Sequence, residues 1–104
     1  MLTIEDLRRR FGKRMERVEQ WLREDDRVMN YVVDLDGEIS ACVRGDTGEY
    51  AVLISPEGFA SCGCMGQRTH HTICKHILYL LLYSWSRGDL SLRDLEKILG
   101  GEEE

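Results

Sequence analysis

Residues 61–76 read Ser-Cys-Gly-Cys-Met-Gly-Gln-Arg-Thr-His-His-Thr-Ile-Cys-Lys-His, and they hold three of the four cysteines and all three histidines. Two short pairs stand out, Cys62-x-Cys64 and Cys74-x-His76, separated by residues 65–73. Three thiolates and one imidazole make a closed tetrahedral donor set for one Zn²⁺. Soft thiolates favour zinc over magnesium or calcium, which want oxygen. In an extended strand residues i and i+2 point to the same face, so Cys62 and Cys64 can grip one ion. Gly63 between them lets the backbone kink toward it. Downstream, residues 73–85 have helical character and no breaker. Residues two apart on a regular helix face different ways, so Cys74 belongs to the lead-in turn and His76 to the first turn. The stretch predicts a strand, a metal-binding loop and a helix, in that order.

Working toward the N-terminus, strand signals precede the cluster. Residues 28–35 are rich in β-branched and aromatic side chains, and Asp36-Gly37 predicts a two-residue hairpin turn. Residues 38–44 alternate, with Ile39, Ala41 and Val43 on one face. Gly45-Asp-Thr-Gly48 is a second turn. Residues 49–55 put Tyr50, Val52 and Ile54 on one face, with Ala51 and Leu53 on the other. Ser55-Pro56-Glu57-Gly58 is a third turn, with Pro where a fixed φ is wanted. Phe59–Cys62 is a short last strand. Sequential hairpins predict an antiparallel meander.

With these residues in place, the chain resembles the SWIM zinc-finger family over roughly residues 48–85. The resemblance rests on Phe59-Ala-Ser-Cys62-Gly-Cys64, on Ile73-Cys74-Lys-His76-Ile-Leu-Tyr-Leu and on the hairpin segment before them. It departs from that family's usual pattern at Ile73, where proline is common, which bears on loop geometry more than on ligation. The resemblance implies a module that binds nucleic acid or protein. Small stand-alone members of that family act as partners of recombinase paralogues. His70 and His71 are rival ligands; His76 is preferred because a helix start fixes it and the resemblance names it. A second chemistry for Cys62 and Cys64 is a thiol redox switch, ranked below zinc because a cytosolic cysteine cluster beside a Cys/His pair is more often a metal site.

The N-terminal segment opens with Thr3-Ile-Glu-Asp6, a capping-box-like start. Ile4, Leu7, Phe11, Met15, Val18 and Leu22 then recur at spacings of three and four, predicting one helix over about 3–24, weakened at Gly12. Arg10, Lys13, Arg14 and Arg17 share the flank that holds Trp21, an arrangement able to hold phosphates and stack a base. The competing reading is a solvated face laced by Glu5–Arg9, Asp6–Arg10 and Glu19–Arg23 pairs. After the cluster, residues 77–83 are apolar all round, which predicts a helix buried on every side. Ser91-Leu-Arg-Asp94 caps a short helix bearing Leu92, Leu95, Ile98 and Leu99, and Gly100-Gly101 stops it.

A chain of 104 residues fits one domain. A domain of this size buries roughly 65% of its unfolded surface, so a metal staple matters to stability. No apolar run is long enough to span a membrane, and the charged N-terminus is no signal peptide. Cysteines without a secretory signal point to the reducing cytoplasm. The formal net charge is −5, and loading three thiolates with one Zn²⁺ makes it one unit more negative. A stand-alone nucleic-acid binder usually carries a basic excess.

The expected fold is α+β: an antiparallel meander of three to four strands with a zinc site leading into an α-helix. An N-terminal helix and a short C-terminal helix flank it. The expected segments are an N-terminal helix (1–26), the meander (27–62), the zinc motif with its helix (61–87), a C-terminal helix (90–100) and an acidic tail (101–104). The metal ligands are Cys62, Cys64, Cys74 and His76, and the ion is structural, so no enzyme activity is expected. The leading function is protein–protein interaction, with a recombinase-type ATPase or paralogue as the partner the resemblance implies. Trp21, Tyr79, Tyr83 and Trp85 are the interface candidates. Direct nucleic-acid binding through Arg10, Lys13, Arg14, Arg17, Arg68 and Lys75 is the alternative. A homodimer and the roles of Cys42, His70 and His71 are left open by the sequence.

Overall fold

The computed structural model describes residues 3–24, 26–46, 48–63 and 73–100. Helices α1 (Ile4–Phe11) and α2 (Lys13–Leu22) lead into strands β1 (Val28–Val33), β2 (Ile39–Arg44), β3 (Glu49–Ser55) and β4 (Phe59–Cys62). Helices α3 (Lys75–Ser86) and α4 (Leu92–Gly100) follow. The four strands form one antiparallel sheet in sequence order. This is the α+β meander that the alternating pattern predicts.

The central element is α3. His76 to Leu82 and Ser84 are all buried on it, as its uniform apolarity requires. It packs against α2, α4 and strands β2, β3 and β4. The inner sheet face supplies Ile39, Ala41, Val43, Val52, Ile54 and Cys62, and α2 supplies Met15, Val18 and Trp21. Each large aliphatic or aromatic side chain taken wholly out of water contributes about 1.5–3 kcal/mol before entropy opposes it.

The N-terminal helix departs from expectation. It is two helices, broken at Gly12, whose φ of 56° and ψ of −120° are closed to other L residues. Gly12 N–H donates to the Arg8 carbonyl, and Glu16 N–H donates to the Gly12 carbonyl, so both ends of the break are capped. In a straight helix Arg8 and Glu19 would stand about 16 Å apart along the axis; here Arg8 Nη2 lies 2.7 Å from Glu19 Oε1. That pair and Arg9–Asp6 at 3.1 Å hold the acids that the straight-helix reading matched to Arg23 and Arg10. The bend also changes the buried stripe. Trp21 is 0% exposed, whereas Leu22 is 39% exposed. The capping box forms as read: Asp6 N–H donates to Thr3 Oγ1, and Thr3 N–H donates to Asp6 Oδ2.

The first hairpin also differs. Gly37 N–H donates to the Asp34 carbonyl and Asp34 N–H to the Glu38 carbonyl, so the loop is longer than Asp36-Gly37 alone. Asp34 Oδ1 accepts from the Asp36 and Glu38 N–H groups, and Gly37 takes a positive φ of 85°. This is a turn closed by a glycine bulge, the next commonest solution after the two-residue loop. The other turns form where expected, with Gly45 N–H donating to the Gly48 carbonyl and Gly58 N–H to the Ser55 carbonyl. In β1 one extra residue enters between Met29 and Val32, where Asn30 adopts a positive φ that asparagine tolerates.

Candidate metal centre

Two elements deliver the described site residues. Cys62 ends β4 on the inner sheet face, paired with Val52. Cys74 is the N-cap of α3 with extended backbone (φ −82°, ψ 171°), and His76 lies in the first turn. The lead-in position expected for Cys74 is therefore realised, and it resolves the facing problem of a C-x-H pair. Negative charge on a sulfur at a helix N-terminus is favoured by the exposed N–H groups and the helix dipole.

The ligand atoms of Cys62, Cys74 and His76 all lie within 4.8 Å of one another, and all three residues are buried. Cys74 Sγ stands 3.7 Å from His76 Nδ1. A tetrahedral zinc with bonds of 2.3 Å to sulfur and 2.0–2.1 Å to nitrogen sets that edge at about 3.6 Å. The donor set is soft, with no carboxylate in the group, and fits a thiophilic ion better than an oxygen-seeking one. Cys64, the fourth expected ligand, lies outside the described residues, as do Arg68, His70, His71 and the acidic tail.

His76 is walled by aromatics and by the β2–β3 turn. Its ring centroid is 4.6 Å from that of Tyr50 and 5.7 Å from that of Trp21. A Cβ added at Gly45 would sit 2.4 Å from His76 Nε2. Asp46 in the same turn takes Arg17 from α2 at 3.5 Å and Lys75 from α3 at 3.7 Å. Arg14 Nη1 donates to the carbonyl of Ile73, the residue before Cys74. His76 Nε2 and Trp21 Nε1 are buried without a hydrogen-bond partner among the described residues.

Arg10, Arg14, Arg17 and Lys75, read as phosphate-binding candidates, engage groups within the fold. Arg10 donates to the Leu99 carbonyl of α4, Arg14 to Ile73, and Arg17 and Lys75 share Asp46. Arg10 and Arg14 also lie over the Phe11 ring. Lys13 sits on α2 beside Glu16, Arg17 and Gln20. Trp21 cannot stack a base or anchor a partner from its place in the core, with Lys75 and Arg27 over its ring.

Of the other interface candidates, Tyr79 is buried, and Tyr83 and Trp85 are half-buried. Burial pushes the Tyr79 phenol up to about 12, with neighbouring Tyr83 adding to the effect. Tyr31 donates to Asp89 Oδ2 and accepts from the Ser84 hydroxyl; burial raises its phenol too. Val32 and Phe59 are each 53% exposed and Leu35 is fully exposed. The sequence reading placed all three within strand segments and singled out none of them as exposed apolar surface. Leu35 sits in the hairpin loop and Phe59 on the outer sheet face by strand alternation, which is the signal that could have found them. Cys42 is half-buried and lines the outer sheet face with Ser40, Ala51 and Ser61, away from the cluster.

The chain matches no protein-family model, no curated protein and no solved structure. Among the described residues, no helix is long and apolar enough to cross a membrane.

Proposed function

We propose that Cys62, Cys74 and His76, completed by Cys64, hold one structural zinc ion in a SWIM-type module that binds a protein partner. The observation that carries this reading is the buried convergence of two thiols and an imidazole from two separate elements. Four protein ligands leave no open position for water, so the ion ties β4 to α3 and does no catalysis. The partner in this reading is a recombinase-type ATPase or paralogue, and the chain is an accessory subunit of a DNA-handling complex in the cytoplasm. Direct DNA binding ranks second. Arg10, Arg14, Arg17 and Lys75 engage carbonyls or a carboxylate within the fold, and the formal net charge is −5.

Affinity purification of the chain from its own cells, with and without a zinc chelator, tests the reading. The expected result is a stoichiometric recombinase-type ATPase that is lost on chelation. Contrary evidence would be no such partner, together with micromolar DNA binding that weakens steeply with salt.

A further inference from the structure

Resting on the metal reading above, we propose that His76 binds the ion through Nδ1 alone and that Gly45 is the positioning residue enforcing this choice.

The two ring nitrogens have opposite surroundings. Nδ1 faces the Cys74 sulfur at 3.7 Å, and one ring nitrogen of His76 lies within 4.8 Å of both the Cys62 and Cys74 sulfurs. Nε2 faces the β2–β3 turn, so close that a Cβ on residue 45 would stand 2.4 Å from it and 3.0 Å from Cδ2. Real Cβ atoms do not approach that closely, and the obstacle would be an imidazole with nowhere to retreat. Tyr50 and Trp21 flank the ring, and the residue is only 4% exposed. An ion and its other ligands cannot occupy the Nε2 side. Gly45 is thus required for room. Its backbone is not among the positive-φ glycines, so alanine would meet no conformational penalty of its own there.

The turn cannot easily back away. Gly45 N–H donates to the Gly48 carbonyl, and Asp46 is held from both sides by Arg17 and Lys75. A side chain at 45 must therefore push the imidazole along the Nε2–Nδ1 direction or tilt it, and either spoils the angle at the metal. With Nδ1 on the ion, Nε2 carries the proton. It is then a buried N–H with no protein acceptor among the described residues, where metal-bound histidines usually have one. The Tyr50 ring, tilted by 46°, has its centroid 4.6 Å from that of the imidazole.

Two measurements test the assignment. The first is a long-range proton–nitrogen correlation spectrum of the zinc-loaded protein, with His70→Gln and His71→Gln changes isolating His76. The expected result is a metal-coordinated Nδ1 and a protonated Nε2; a coordinated Nε2 overturns the proposal while leaving the zinc site standing. The second is zinc affinity by chelator competition in Gly45→Ala. Loss of a supporting contact to a metal ligand typically weakens binding about 10–100-fold, and a loss in that range is expected. Gly45→Ala with unchanged affinity overturns the positioning role. If Gly45→Ala does not fold, the spectrum of the chain with native Gly45 still decides the ligand atom. A chain that binds no zinc at all defeats this proposal together with the metal reading.

Discussion

Gly12→Ala separates two accounts of the N-terminal segment by the sign of its effect. In a continuous helix Gly12 would be an interior glycine, and alanine would stabilise by about 0.8–1 kcal/mol. In the structure Gly12 sits at φ 56° and ψ −120°. This is the mirror image of a conformation that L residues favour. A Cβ there would meet nothing within 4 Å beyond its own chain neighbours, so packing adds no cost and the local backbone sets the penalty. Residues forced into such regions cost about 1–3 kcal/mol. With unfolding entropy near 2.1 cal/mol/K per residue, that lowers Tm by about 5–14 °C in a chain of this length. The assay is urea and thermal unfolding of both proteins at one fixed free zinc concentration. A variant more stable than the parent would refute the break and restore the single helix. The Arg8–Glu19 pair would then have to be absent in solution.

Other consequences can be checked in the same preparations. Arg14→Gln removes a charged donor to the Ile73 carbonyl; such bonds contribute about 1.5–3 kcal/mol, so unfolding should shift by that amount and zinc should be held less tightly, read by chelator competition. Tyr79 titrates near 12 against an ordinary 10.0 because burial disfavours the phenolate. A raised folded value means its contribution is intact below pH 10 and is lost as pH rises from 10 toward 12. Urea midpoints across that window should fall more steeply in the parent than in Tyr79→Phe.

The meander and the central helix were legible because their patterns are local. Alternation at Ile39, Ala41 and Val43 and the turn residues around it leave one register that buries a face. The break at Gly12 was not legible, because the apolar spacing runs through it and glycine inside a helix is only mildly unfavourable. What decides the outcome is packing on α3, which takes Trp21 inward and turns Leu22 out. The arginines of α1 and α2 read as a patch because sequence shows charge and not partners. Their acceptors, at Ile73, Asp46 and Leu99, lie far along the chain. The grouping of Cys62, Cys74 and His76 was legible as a set of residue types, since C-x-C and C-x-H have few other uses. The wall formed by Gly45 was not, because it depends on the approach of a turn to a helix remote in sequence.

The most direct test is elemental analysis of the purified chain beside Cys74→Ser and Cys64→Ser. The account predicts one zinc per chain in the parent and loss of metal and of cooperative unfolding in Cys74→Ser. Cys64→Ser, which removes the fourth ligand, should retain zinc only weakly. A parent that folds cooperatively without bound metal, and that neither gains stability from zinc nor loses it to a chelator, would contradict the account.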